Sequence, residues 1–415
     1  MRGGPRMSDK KVEVILSGKD AKLIDALKRG EKAIRTFGEK SLGAFKKVNQ
    51  AIVSSYGKLG ALEKIGIGVG FTVAAKNVIE FDGALRKIGR SGGWSREDVA
   101  GLRKEILDLG QTMPVTKDQF VEMARELSAT GIPLAMIRNI LPQVGKGAKA
   151  AGVDTAVYAA TVGELLDKYK VAASDLPALQ DQLNAALKFE DVRRSPEEFL
   201  QSIQALSKTM QLMKSQGMGN VTPLMALMAQ LTSFTGSSGE SASALDGLFN
   251  GLLRISKNKD INAQLKSRGI EFFNAGGSVK NIGELLPMIK KFGEELKKSG
   301  KSAEEGAMAV FGRPEAAKSV MIIMDKYDEI MKKQDELGKS GGAMGKDYAE
   351  VQESMSSKLV RFQNQIDNFN VTHMSTALKY LSSVLDYLNA HPIIAKGLMT
   401  AVLGAGGLVL INKVI

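Results

Sequence analysis

Two histidines, His373 and His391, and no cysteine leave the chain almost without the side chains that hold transition metals or attack as nucleophiles. Without cysteine, disulfides and thiolate metal sites are excluded. The His-Glu-x-x-His spacing of a zinc protease and the Gly-x-x-x-x-Gly-Lys-[Ser/Thr] phosphate loop are both missing. Gly236-Ser-Ser-Gly239 comes nearest to a nucleophile elbow, but it lacks the Gly-x-Ser-x-Gly frame and no strand pattern precedes it. The acidic groups Glu294/Glu295, Glu304/Glu305 and Asp325/Asp328/Glu329 are spaced as solvated helix faces. Nothing apolar surrounds them to raise a carboxyl pKa for acid catalysis. These residues predict no enzyme, no cofactor and no metal site.

Charge points to partners instead. The net charge is +12, and residues 1–50 hold 13 Lys/Arg against 6 Asp/Glu, so this arm carries more than half of the excess. Such an arm suits nucleic acid, anionic lipid or an acidic protein surface, or simply keeps a helix in solution. The single tryptophan, Trp94, stands in a Gly-rich turn and the arm has no interleaved aromatics, so sequence-specific nucleic-acid binding is not predicted. A methionine stripe, Met210, Met213, Met218, Met225 and Met228, reads as core filling before it reads as an adaptable partner surface. Residues 1–11 are polar and basic, without the apolar run of a secretory signal.

The positioning elements read as helices. Apolar content is 44% with only 6% aromatics, which favours helices packed through small residues over a sheet. Val12, Val14 and Leu16 alternate over Lys11–Ser17, the one strand pattern of the first half. Ile65–Ala75 is uncharged with Gly66, Gly68 and Gly70, too short to span a bilayer and suited to close helix packing or an unwound section. Phe81 then opens a body of about ten helices. Ser95 and Thr116 begin helices, Gly110 and Gly131 stop them, and Pro133, Pro142, Gly152, Pro177, Pro196, Gly217 and Pro223 punctuate further. Within Ser237–Pro314 the order is helix, stop at Gly269, short extended piece, turn at Asn274–Gly277, helix, stop.

The fold class is therefore all-α: a multi-helix packed core with extended helical arms and at most one short N-terminal strand or small hairpin. The divisions expected are a basic arm over 1–80, a helical core over 81–331, a Gly/Lys/Ser linker over 332–347, a heptad-like helix over 348–390 and a Gly-rich apolar segment over 391–415. In the fourth, Met355, Leu359, Phe362, Ile366 and Phe369 recur at four and three. Leu378, Leu381, Leu385 and Leu388 continue after a break, an oligomer seam for a partner helix or further copies. In the last, Leu398, Val402, Leu403, Leu408, Val409 and Ile411 make a membrane candidate just short of a span, or an element that continues beyond Ile415.

The order of several short motifs resembles the core region of phage tail tape-measure proteins, the TP901-type minor tail family, over roughly 81–369. The motifs are Phe81-Asp82-x-x-Leu85, Leu109-Gly110 with Met113-Pro114 and Thr116, Ala124-x-x-Leu127-x-x-x-Gly131-Ile132 and Ala150-Ala-Gly-Val153-Asp154. They continue through Leu206, the Leu224–Leu231 helix, Ala242-x-x-Leu245-x-x-Leu248, Leu265-x-x-x-Gly269-Ile270, Gly276-Gly277 and Phe311-Gly312-Arg313. One step departs: Thr235-Gly-Ser-Ser-Gly239-Glu240 lacks the basic residue usual in that family. The resemblance implies a structural protein of a phage or phage-like tail, located in the virion tail and in host cytoplasm during assembly. Its implied partners are its own copies inside the tube, tail-tube and tail-tip or baseplate proteins, assembly chaperones and a host membrane. It would set tube length and leave at infection. The competing readings are a membrane-active, pore-forming helical protein and an intracellular helical scaffold.

Overall fold

The computed structural model of the protein describes residues 67–298, 302–354, 356–368 and 371–372. Among them every regular element is helical, and the one extended contact is an isolated antiparallel bridge between Phe273 and Val279. The all-α expectation holds. The strand pattern at Lys11–Ser17 lies outside the described residues. The chain divides into two compact units, Ala84–Asn364 and a second of residues 1–83 with 365–415; the first is the helical body.

The helices are α1 (Ile67–Gly92), α2 (Arg96–Thr112), α3 (Lys117–Ala129), α4 (Leu134–Ala151), α5 (Thr155–Asp167), α6 (Leu176–Ala186), α7 (Pro196–Met213) and α8 (Met218–Thr235). They continue as α9 (Ser238–Ile255), α10 (Lys259–Ser267), α11 (Ile282–Lys298), α12 (Ala303–Phe311), α13 (Pro314–Asp325), α14 (Tyr327–Gly338) and α15 (Ala343–Glu353), followed by helical residues 356–368. Local chemistry sets most of the ends. Ser95 and Thr116 close capping boxes with Asp98 and Gln119, each side chain taking a backbone N–H the helix itself cannot use. Leu127-x-x-x-Gly131-Ile132 and Leu265-x-x-x-Gly269-Ile270 end in the same way. Glycine turns left-handed (φ 94 and 69°), and the isoleucine N–H donates back to the leucine carbonyl at 3.1 and 3.0 Å.

Some punctuation acts differently from its sequence reading. Gly110 does not stop α2, which runs on to Thr112; it is buried in the last turn, where a Cβ would lie 3.6 Å from Asn364. A Cβ would fit there in ordinary contact, so neither a turn nor a close approach demands glycine at this position. Pro142 and Pro223 sit inside α4 and α8, as does Pro287 inside α11. Pro223 and Pro287 fall early in their helices, four residues after Gly219 and Gly283, which can tilt the carbonyl the ring would meet. The body nevertheless carries more helices than the ten expected. Residues 332–347, expected as a linker, are helical to Gly338 and again from Ala343, with only Lys339–Gly342 between.

At the centre runs α8, whose residues Pro223–Thr232 are all buried. A helix apolar on every side must be enclosed, and α6, α9, α11, α13 and α14 all pack on it. Met210, Met213, Met225 and Met228 are buried, filling this core, while Met218 is half-buried at its edge. A second layer joins α3, α4, α5 and α7, and α9 ties the layers together by packing on α7, α8, α12 and α13.

Candidate functional site

The stretch Ser237–Pro314 forms one packed block inside the body. Helix α9 presents Leu245, Leu248, Phe249 and Leu252 to the core, all buried. After α10, the chain turns at Asn274–Gly277: Gly277 has φ 78°, and Asn274 N–H donates to the Ser278 carbonyl at 2.8 Å. This small hairpin carries Phe272 towards Phe292 and Phe311. The Phe292 and Phe311 rings meet edge to face at 5.5 Å, and Phe272 lies 6.0 Å from Phe311 and 6.3 Å from Phe292. Glycines on α9 admit this corner. A Cβ on Gly251 would stand 2.9 Å from the Phe311 ring, and one on Gly247 3.3 Å from the Ala316 nitrogen. Gly312 turns left-handed (φ 74°) directly after the ring, and Arg254 Nη2 donates to the Val310 carbonyl at 2.9 Å. Phe311-Gly312-Arg313 is thus the corner piece of a core.

Polar side chains fix the block's ends. Asn220 is buried at the start of α8; its Nδ2 donates to the Gln216 carbonyl (2.8 Å) and Asn281 Oδ1 (3.1 Å), and its Oδ1 accepts from Ile282 N–H (2.9 Å). That single amide pins the entry of α11. The Gly236–Gly239 turn is a helix cap: Ser237 Oγ accepts from Glu240 N–H at 3.2 Å and donates to Glu198 Oε1 at 2.7 Å, while Gly239 N–H donates to the same oxygen at 2.9 Å. The Gly239 N–H, then the Ser237 hydroxyl, hold the Glu198 carboxyl below its ordinary range. Ser237 faces an ionised acceptor rather than a histidine, an arrangement for capping and not for attack. Where sequence shows a missing basic residue, the turn is held by an acid reaching from α7.

Several other polar groups are engaged as well. A groove of about 580 Å³ beside this turn is lined by Glu198, Ser202, Asp246, Arg313 and Glu315, but Asp246 already accepts from Thr209 and from Asn250 (2.9 Å). Burial pushes the Tyr169 phenol far above its usual range, so it stays protonated and donates to the Ile203 carbonyl at 2.8 Å. Glu295, Asp325, Asp328 and Glu329 pair with Lys298, Lys297, Lys290 and Lys326 at the surface. Among the described residues no group of His, Asp and Glu is placed to hold a metal, and no helix is long and apolar enough to cross a membrane.

Of the expected seam, Leu359, Phe362 and Ile366 lie on one face of the helical residues 356–368: Leu359 is 56% exposed and the other two are half-buried. Met355, Phe369, Leu378, Leu381, Leu385 and Leu388 lie outside the described residues, as do the membrane candidates Leu398, Val402, Leu403, Leu408, Val409 and Ile411. The opposite face of the same helix holds Ser357 and Asn364, both buried. Asn364 Nδ2 donates to the carbonyls of Met113 (3.3 Å) and Val115 (2.8 Å). Heptad spacing marks the apolar face; nothing in it announces the asparagine that anchors the other.

No curated protein and no solved structure matches the chain. The model of the phage-related minor tail protein family matches residues 103–312, just over half of its length, and the chain belongs to that family of phage tail proteins.

Proposed function

We propose that the protein is the tape measure of its tail. The family membership of the helical body carries this reading. Several copies would line the tail tube, set its length as the tube polymerises around them, and leave through the tip at infection. The physics supports a helical ruler: at 1.5 Å rise per residue, a fully helical chain of this length reaches at most ~620 Å. Its net charge of +12 suits an acidic lumen that holds it loosely enough for expulsion. The partners would be further copies along the seam of Leu359, Phe362 and Ile366, the tube and tip or baseplate proteins, and assembly chaperones. A membrane role for the last apolar segment would accompany ejection.

The test is tail length by electron microscopy in an in-frame deletion of Met355–Leu381. At helical rise, removal of this segment shortens every tail by ~40 Å. Tails of unchanged length would remove the ruler role from this segment and favour the membrane-active reading.

A further inference from the structure

Helix α15 is attached to the body with little buried side-chain surface. In α15 the one buried residue is Tyr348, yet the helix lies against both α4 and α6. Beside the Tyr348 ring, polar contacts hold it. The Asp181 carboxylate on α6 accepts from Gly342 N–H at 2.8 Å and Met344 N–H at 2.9 Å, so it caps the α15 N-terminus from outside. Lys188 Nζ stands 2.7 Å from Asp347, and Lys146 Nζ lies 5.9 Å from the Tyr348 ring centre. The chain then continues to Asn364, whose side chain is held by the carbonyls of Met113 and Val115.

The start of this segment can hinge. Gly341 and Gly342 precede it, Gly342 with φ 81°, and nothing lies within 4 Å of where a Cβ would be on either. We infer that residues 340–364 are a clasp that opens as a unit while the helices inside it stay folded, with the Asp181 carboxylate as its latch. Segments with little buried apolar surface are those that open below the global unfolding free energy. Three polar anchors spread over one short segment release together once the first turn of α15 loses its cap. Opening uncovers the α4–α6 face around Lys146 and Asp181. It also frees α15 to extend from α14, the length change a packed ruler protomer needs.

Hydrogen exchange read by mass spectrometry on the full chain tests this. Amides 347–353 are expected to exchange at least about tenfold faster than those of α8 and α9, because they open without the core. Asp181→Asn removes the charge and should speed 347–353 by a further ~10-fold, leaving 223–232 unchanged; Gly342 and Met344 are excluded because they lose their own acceptor. If that variant does not fold, the cysteine-free chain permits Lys188→Cys with Asp347→Cys joined by a short bis-maleimide. The closed link should slow exchange at 347–353 to the rate of the core. Exchange at 347–353 that matches the core in the unmodified chain would overturn the clasp, and exchange unmoved by Asp181→Asn would overturn the latch. Either failure leaves the ruler reading untouched, since tail length is measured separately.

Discussion

The block from α8 to α13 and the segment from α15 to Asn364 are both helical, yet they are held by different forces. In the block, Phe272, Phe292 and Phe311 interlock within 6.3 Å, and glycines on α9 let the backbone come close. In the C-terminal segment, Tyr348 is the sole buried side chain of α15, and Asp181, Lys188 and Asn364 do the holding. Dispersion and burial act over many atoms and fail only when the whole core opens. A few charge-assisted hydrogen bonds can be lost without opening the core. The same chain therefore carries a part that must stay shut and a part that can let go.

The largest effect should come from truncating an aromatic in each region. Phe311→Ala removes the ring shared by α9, α11 and the hairpin, and should cost about 3–5 kcal/mol in global denaturation. Tyr348→Ala removes a ring of similar size but should lower global stability by less than about 2 kcal/mol, with most of its effect in faster exchange of α15. Equal global losses in urea titration would erase the distinction between the regions.

A sharper pair uses the two buried asparagines. Asn220→Ala strands the Ile282 N–H and the Gln216 carbonyl inside the block, and should cost roughly 2–3 kcal/mol. Asn364→Ala strands only the carbonyls of Met113 and Val115, beside a helix free to move away, and should cost about 1 kcal/mol. Reversal of that order, in the same titration, would mean the segment is part of the core.

How much of this was legible depended on the range of the interaction. Capping boxes at Ser95 and Thr116, the left-handed stops at Gly131 and Gly269 and the left-handed turn at Gly277 are local, and the residues announce them. The block's order of helix, stop, turn and helix was readable for the same reason. Gly110 misled because a glycine that ends a helix and one carried inside its last turn look alike in sequence. Pro142 and Pro223 misled because helix interiors accept proline when packing on the other faces is sufficient. Asp181, Asn220 and Glu198 could not be found at all: each reaches a backbone group on another element, and a lone polar residue carries no periodic mark.

The smallest effect concerns Glu198, which caps α9 from α7 and so belongs to the block while using the chemistry of the clasp. Its folded pKa lies below its unfolded value, so its contribution is complete above the ordinary glutamate value near 4.5 and is lost as pH falls through the depressed one. Glu198→Gln should therefore lower stability by at most about 1 kcal/mol at pH 7, since the side chain is partly exposed. The gap between variant and parent should close as pH falls through the depressed Glu198 value. The Asp181 latch, with two backbone donors of its own, gives the useful contrast. Loss of Glu198 leaves Ser237 still capping Glu240, so α9 stays docked by its apolar face and its exchange should not change. Loss of Asp181 leaves α15 with nothing equivalent underneath. An α9 that opened in Glu198→Gln as α15 does in Asp181→Asn would show that polar caps govern both regions, and that the aromatic corner does less than its packing implies.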